Sequence, residues 1–297
     1  MRRRDIVDLL LLAMLWGGSF LFMRIAVPEF GPMPMVEMRV AIAAAILVPL
    51  LWRQQGLAVL RDEWRGLSLV GIANSAIPFT LFAFAIVSIT SGFAAILNST
   101  SPLFAAVIAF VWLRERLPWM RVAGLVVGFA GVALLVWGKP TFSLGGDGWA
   151  IAAALAASVS YGVSPNYIRR KIPHVPPLAI ASGSQIAAAI VVLPLAIAYW
   201  PTVNPSLPAW AAAIALGVGC TGIAYILYFR LIRNVGPTRA IAVTFLIPGF
   251  GMLYGALFLS EPVTVEMLIG CAVILFGTAL ATGLVAGPER LVAKPKP

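Results

Sequence analysis

Residues 101–124 read SPLFAAVIAFVWLRERLPWMRVAG, and residues 247–270 read IPGFGMLYGALFLSEPVTVEMLIG. Both segments carry a proline at their second position, a glutamate at their fifteenth and a glycine at their last. Nearer the start of each half, Trp16-Gly17 recurs as Tyr161-Gly162. Matches that stay in register through both halves rarely arise by chance, so the chain is predicted to contain two copies of one structural unit.

The composition places the chain in a membrane. It is 61% hydrophobic and only 11% charged, whereas a soluble domain has about 25% charged residues. Apolar segments of about 20 residues have the length of a membrane-spanning helix. We predict an all-α polytopic membrane protein with ten transmembrane helices, at Asp5–Val27, Met33–Trp52, Gly66–Val87, Ser91–Leu113, Trp119–Trp137, Asp147–Ile168, Pro177–Tyr199, Leu207–Phe229, Pro237–Leu259 and Thr264–Ala286.

Each copy would hold five spans, and an odd number forces the second copy to enter the membrane from the opposite side. We therefore predict two inverted five-helix repeats, residues 1–140 and 141–286, followed by a disordered cytoplasmic tail at 287–297. Inverted repeats usually place a substrate site near the middle of the bilayer, between the copies.

The basic residues predict the orientation. The net charge is +10, and nearly all basic residues outside the spans fall on one side of the predicted topology. Lys139 is the exception, and Arg24 lies near the same opposite side, close to the end of the first span. Both termini are therefore predicted to be cytoplasmic by the positive-inside rule. Because topology accounts for the charge, we expect lipid and a small-molecule substrate as partners and no nucleic acid.

The spacing of Pro102, Glu115 and Gly124, its second copy at Pro248, Glu261 and Gly270, and the opening Leu15-Trp-Gly-Gly-Ser19 resemble the EamA repeat of the drug/metabolite transporter superfamily. The resemblance covers essentially the whole chain. It implies a ten-helix exporter of small metabolites in the bacterial inner (plasma) membrane. Within the superfamily the chain is most similar to the aromatic amino-acid exporters of the YddG type.

Two mid-span prolines mark a candidate site. Pro102 and Pro248 are predicted hinges that free the carbonyls of Asn98 and Thr244 from helical hydrogen bonds. A free carbonyl at membrane depth must meet water, a side chain or a substrate. Asn98, Ser101 and Thr244 are therefore predicted to bind substrate. The alternative is that the hydroxyls only satisfy the bent backbone and the prolines only bend their helices.

Aromatic side chains well inside the spans predict a second part of the site, because rings suit an apolar or aromatic substrate. Ser19 and Asn74 are predicted to bind substrate as well and to supply partners for the polar atoms of buried rings. The alternative is that these rings are ordinary helix-packing residues. The predicted substrate-binding rings are Trp16, Phe79, Tyr161, Tyr225 and Tyr228.

Ionisable residues inside the spans are few, and none is expected at the centre. Arg24, Glu37 and Arg39 are predicted near the outer surface, where Arg24 could pair with Glu37 as an external gate or merely reach the interface. Glu115 and Glu261 are expected to cap the helices that follow them. The lack of a central carboxylate leaves open facilitated export or proton coupling through a less obvious site such as Glu37.

No catalytic residue, cofactor or metal site is predicted, because the two cysteines stand singly and there is no HExxH or GxSxG motif. Two other functions remain open. A multidrug or organic-cation exporter of the same superfamily would want a buried anion in its site. A membrane-embedded lipid-modifying enzyme would need convergent titratable groups. A monomer is expected, and a dimer through Gly124-x3-Gly128 stays open.

Overall fold

The computed structural model of the protein describes residues 2–115, 117–137, 147–236 and 240–284, in which no strand occurs. Ten helices of 17 residues or more lie in these ranges. The predicted tail at 287–297 and Lys139 fall outside the described residues. The helices are α1 (Arg3–Phe30), α2 (Pro32–Arg53), α3 (Trp64–Ala85), α4 (Ser91–Leu113), α5 (Trp119–Val136), α6 (Asp147–Lys171), α7 (Pro177–Ala198), α8 (Leu207–Val235), α9 (Val243–Leu259) and α10 (Val265–Ala281).

Seven of these helices are long and apolar enough to cross a membrane, namely α1 to α5, α7 and α8. Helices α9 and α10 are apolar but have 17 residues each. Helix α6 has 25 residues and a more polar sequence. The described residues thus form an all-helical protein with seven candidate spans plus shorter apolar helices, and the ten-span topology stays a prediction.

Helix ends fall close to their predicted positions, with three differences. Helix α10 ends at Ala281, whereas the prediction ended at Ala286, which lies outside the described residues. Helix α8 continues past the predicted end at Phe229 to Val235. Helix α9 begins at Val243, whereas the prediction began at Pro237, which lies outside the described residues. Arginines in the last turns of α8 did not end the helix, because their side chains reach its surface.

Helix contacts recur between elements five helices apart. Helix α1 packs on α9 as α6 packs on α4, and α1 packs on α8 as α6 packs on α3. Helices α2 and α7 pack on each other directly, as do α5 and α10. A twofold axis between the first five helices and the last five would produce this reciprocal pattern.

Glycines let α5 and α10 touch at the backbone. A Cβ atom on Gly124 would lie 2.8 Å from the carbonyl oxygen of Gly277, and Gly277 lies against the backbone of Gly128. Small residues at this spacing permit close helix packing in membranes. The Gly124-x3-Gly128 motif therefore forms a seam within the chain and is not available as a dimer contact.

Helices α3 and α8 each contain a π-helical segment, Ile72–Ala76 and Val218–Ile223. Each segment directly follows a glycine, Gly71 or Gly217, that packs on the backbone of a neighbouring helix. Added to Gly71, a Cβ atom would lie 2.5 Å from the carbonyl oxygen of Ser184. Such wide turns change which way the following side chains face, and they are frequent at functional sites.

Candidate functional site

A cavity of about 330 Å³ lies between the first five helices and the last five. Its volume is that of a small-molecule pocket. All of the side chains predicted to bind substrate line this one cavity, and their role in binding stays a prediction. They are Trp16, Ser19, Asn74, Phe79, Asn98, Ser101, Tyr161, Tyr225, Tyr228 and Thr244.

Aromatic pairs across the two halves form part of the wall. The rings of Trp16 and Tyr228 have centroids 5.2 Å apart. Tyr161 lies between two rings of α3, with centroid distances of 6.4 Å to Phe79 and 6.2 Å to Phe82. These separations are typical of favourable aromatic contacts. The cavity therefore offers ring surfaces contributed jointly by both halves.

Asn74 and Ser19 differ as partners for the rings. The Asn74 side-chain amide donates a hydrogen bond of 2.8 Å to the Tyr225 hydroxyl, so the predicted partnership with a buried ring is confirmed. Asn74 is in the π-helical segment of α3. The Ser19 hydroxyl makes a long contact of 3.5 Å with the Leu15 carbonyl oxygen and also contacts the Cys220 thiol.

The bent part of α4 satisfies much of its own backbone. Ser101 donates a 2.7 Å hydrogen bond to the carbonyl oxygen of Asn98, and the hydroxyls of Ser99 and Thr100 also bond carbonyls three residues earlier. Thr244 in α9 does the same at 2.7 Å. The hydroxyls thus satisfy the backbone, as one interpretation predicted. Among the described residues the Asn98 side-chain amide has no hydrogen-bond partner, so it can serve a ligand.

The two prolines are placed differently. Pro102 lines the cavity at the start of the second half of α4, directly after the turn at Ser99 and Thr100. Pro248 is buried inside α9 and is not part of the cavity wall. A single conformation does not test whether α4 and α9 bend at these prolines during transport, so the hinge role of both prolines stays a prediction.

Arg39 lies at the cavity, although no ionisable side chain was expected there. Its side chain lines the wall and the residue is only 5% exposed. Its Nε atom donates a 2.9 Å hydrogen bond to the Thr221 hydroxyl, and its guanidinium carbon is 3.7 Å from the centre of the Phe79 ring. Helix α2 begins at Pro32, so Arg39 is about 10 Å along the helix axis. Arg39 therefore lies at the predicted depth along α2, but its side chain reaches the cavity, where no ionisable group was expected.

The predicted pair of Arg24 and Glu37 does not form. Arg24 instead pairs with Glu261, at 3.7 Å, and donates hydrogen bonds to the carbonyl oxygens of Ile86 and Val87. Glu37 is buried, and its Oε2 atom has no hydrogen-bond partner among the described residues. Arg24 lies near the start of α4 because the turn between α9 and α10 places the Glu261 carboxylate there.

Both turn glutamates act differently from the predicted helix caps. Glu261 accepts hydrogen bonds from the backbone N–H and the hydroxyl of Ser91, at 2.9 and 2.5 Å, so it stabilises the start of α4 rather than α10. The cap of α10 is Thr264, which accepts from the Met267 N–H. Glu115 pairs with Arg169 at 2.5 Å.

A family comparison agrees with this architecture. The model of the EamA-like transporter family matches residues 6–137 and 148–283, which together make up most of the chain. The chain belongs to the EamA-like transporter family. This EamA protein is therefore an integral membrane transporter.

Two relatives of this EamA protein are named as transporters without a stated substrate. The uncharacterized inner membrane transporter YedA of Escherichia coli K12 is 28% identical over 293 residues, covering 96% of this chain and 92% of YedA. An uncharacterized transporter of Archaeoglobus fulgidus is 22% identical over 265 residues, covering 88% and 92%. One solved crystal structure superposes with a TM-score of 0.66 at 23% identity, covering 99% of this chain and 100% of the other. That likeness supports the fold alone.

Proposed function

We propose that this EamA protein exports small metabolites, specifically amino acids with aromatic or apolar side chains, by alternating access around the central cavity. The observation that carries the proposal is the ring-lined cavity between the two sets of five helices. A cavity shared by two halves can be exposed to either side of the membrane when the halves tilt against each other.

The proposed halves are the inverted repeats 1–140 and 141–286. The reciprocal helix contacts support a twofold relation between them. One end of the molecule is held by Arg24 and Glu261, whereas the cavity wall extends to Ile168, next to the basic residues Arg169, Arg170 and Lys171. With both termini in the cytoplasm of a bacterium, this conformation faces inward and can load a substrate for export.

The cavity wall supports an aromatic or apolar substrate over an organic cation. Stacked rings contribute about 0.5–1.5 kcal/mol per pair beyond burial, which suits a molecule that must leave again. A cation would need an anionic partner in the site. In the described residues no Asp or Glu lines the cavity, whereas Arg39 does.

Counterflow in liposomes containing the purified protein tests the proposal. We expect aromatic and apolar amino acids to exchange, and an organic dication neither to exchange nor to compete. Trp16→Ala should raise KM by up to about tenfold, the equivalent of one lost ring contact. Trp137→Ala is the matched control, because Trp137 is 83% exposed at the end of α5.

Two results would contradict separate parts of the proposal. If no amino acid exchanges while an organic cation does, the proposed substrate is wrong. If Trp16→Ala and Asn98→Ala both leave the flux unchanged, the cavity is not the substrate site.

A further inference from the structure

We infer that Arg39 is the anion-binding group of the cavity and that the transported molecule carries a carboxylate which pairs with it. This inference rests on the proposed function, since it takes the cavity as the transport site. It adds a charge requirement to the aromatic or apolar character of the substrate.

Arg39 is a buried cation without a carboxylate counter-ion in the part of the chain that the structure describes. No carboxylate of the described residues lies within 4.0 Å of its guanidinium. Its contacts are the Thr221 hydroxyl on Nε, the Phe79 ring and a 4.0 Å contact from Nη1 to the Met23 sulfur. An unpaired charge inside a membrane protein is costly. A ligand anion would remove that cost when it binds.

The arginines that form ion pairs across helices differ from Arg39 in this respect. Arg24, Arg169 and Arg230 pair with Glu261, Glu115 and Asp8, and all three arginine side chains are at least 33% exposed. Arg39 is more buried than any of them and has no carboxylate partner. Its two Nη groups form a planar fork that matches the two oxygens of a carboxylate. Arg39 is therefore better placed to bind a ligand anion than to stabilise the fold through an ion pair.

The position of Arg39 also defines what must be attached to the carboxylate. The guanidinium stacks on Phe79, whose ring centroid is 6.4 Å from that of Tyr161. A carboxylate held by Arg39 thus places the next atoms of the ligand among the rings. No acidic side chain of the described residues lines the cavity to receive an ammonium group. Aromatic carboxylates without an amino group should therefore bind as well as the amino acids do.

The competing interpretation is that Arg39 is a clamp, joining α2 to α8 through Thr221 and to α3 through Phe79. A clamp would affect the stability of the protein but would not pair with a ligand carboxylate, so an uncharged amide would bind as tightly as the carboxylate. The ligand series described next separates the two interpretations on the unaltered protein.

The test is the ligand-induced shift of thermal unfolding of the full chain in detergent micelles. Four probes share one phenyl ring: phenylalanine, 3-phenylpropionate, the uncharged 3-phenylpropionamide and phenethylamine. We expect the two carboxylates to bind at least about tenfold more tightly than the amide and the amine, as for a hydrogen bond to a charged group. Arg39→Gln should abolish this preference, and Arg39→Lys should retain part of it.

Arg65→Gln is the matched control. Arg65 also has its guanidinium near a ring, 5.4 Å from the centre of Trp64, but it is exposed outside the cavity. Its loss removes the same charge and should leave the preference for carboxylates unchanged.

The inference is overturned if the amide or the amine binds the unaltered protein as tightly as the carboxylates, or if no probe binds. It is also overturned if Arg39→Gln keeps the preference. If Arg39→Gln does not fold, the unaltered protein and Arg39→Lys still decide. Charge-selective binding without counterflow of any amino acid would contradict the proposed function and support the anion site. Counterflow of amino acids with no preference for a carboxylate would support the proposed function and contradict the anion site.

Discussion

The two ends of the helix bundle carry equivalent ion pairs in different surroundings. Arg24 pairs with Glu261 at one end, and the repeat-related Arg169 and Glu115 pair at the other. The Glu261 side chain is 11% exposed and also accepts hydrogen bonds from Ser91, whereas the Glu115 side chain is 39% exposed. The Glu115 pair is shorter, but exposed pairs contribute little. We infer that the Arg24 end is the more strongly closed one.

One of the side-chain differences between the two turns contributes to this contrast. Both glutamates follow a residue in the left-handed region, with φ of 53° at Arg114 and at Ser260. Their backbone N–H groups bond back to Ala109 and to Gly255 respectively. Gly255 leaves room for the Glu261 carboxylate and the Ser91 hydroxyl, whereas the corresponding Ala109 has a methyl group. The same turn thus makes a tight end in one repeat and a loose end in the other.

Glu261→Gln should have the largest effect. It removes the charge that accepts two hydrogen bonds at the start of α4, and we expect a loss of about 2–3 kcal/mol in the free energy of unfolding. The repeat-related Glu115→Gln should cost less than about 1 kcal/mol, because its partner is exposed. Equilibrium unfolding in detergent micelles measures both. Equal losses in the two variants would refute the difference between the ends.

Gly255→Ala should have an intermediate effect. Its Cβ atom would lie 2.5 Å from the Ser91 hydroxyl and against the Glu261 carboxylate, so we expect a loss of about 1–2 kcal/mol from overpacking. Gly249→Ala in the same helix is the control, since nothing lies within 4 Å of its Cβ position. That change should be neutral or stabilise by up to about 1 kcal/mol through helix propensity. A neutral Gly255→Ala would mean that the Glu261 contact is not tight.

Arg24→Gln should have the smallest effect on stability and a visible effect on access. If the closed form of the Arg24 end loses about 1 kcal/mol of stability, the population of molecules that are open at this end rises about fivefold. Cys220 lines the cavity, so its labelling by a membrane-impermeant maleimide reports opening once Cys271 is replaced by Ala. We expect about fivefold faster labelling from the Arg24 side in Arg24→Gln. Arg169→Gln should leave that rate within about twofold, and an equal rise in both would disprove the assignment of the closed end.

Much of the helical architecture could be predicted from hydropathy, because a span needs about 20 apolar residues and its ends are marked by Trp, Pro and Arg. The common location of Trp16 and Tyr161 could be predicted from the repeat. Both residues stand at corresponding positions of α1 and α6, and a twofold axis brings such positions to the same central space. The family assignment followed from the same recurring positions.

Arg39 and the π-helical segments could not be placed from the sequence. Counting residues gave the depth of Arg39 along α2, but its contact with Thr221 depends on the wide turn of α8. That turn arises where Gly217 meets the backbone of α2, a tertiary contact that local sequence does not encode. The sequence did contain one signal for a functional role of Arg39, because arginine is rare inside a membrane span. The partner of Arg24 was missed for a similar reason, since Glu261 reaches it only through the folded α9–α10 turn.

The seam between α5 and α10 limits how the molecule can move. Neither helix contributes a residue to the cavity wall, and their backbones meet at Gly124, Gly128 and Gly277 with no side chain between them. Sliding one helix along the other would drive neighbouring side chains into this gap. We therefore expect α5 and α10 to move together as one rigid unit. The other eight helices can then rotate relative to this unit while α5 and α10 keep their positions against each other.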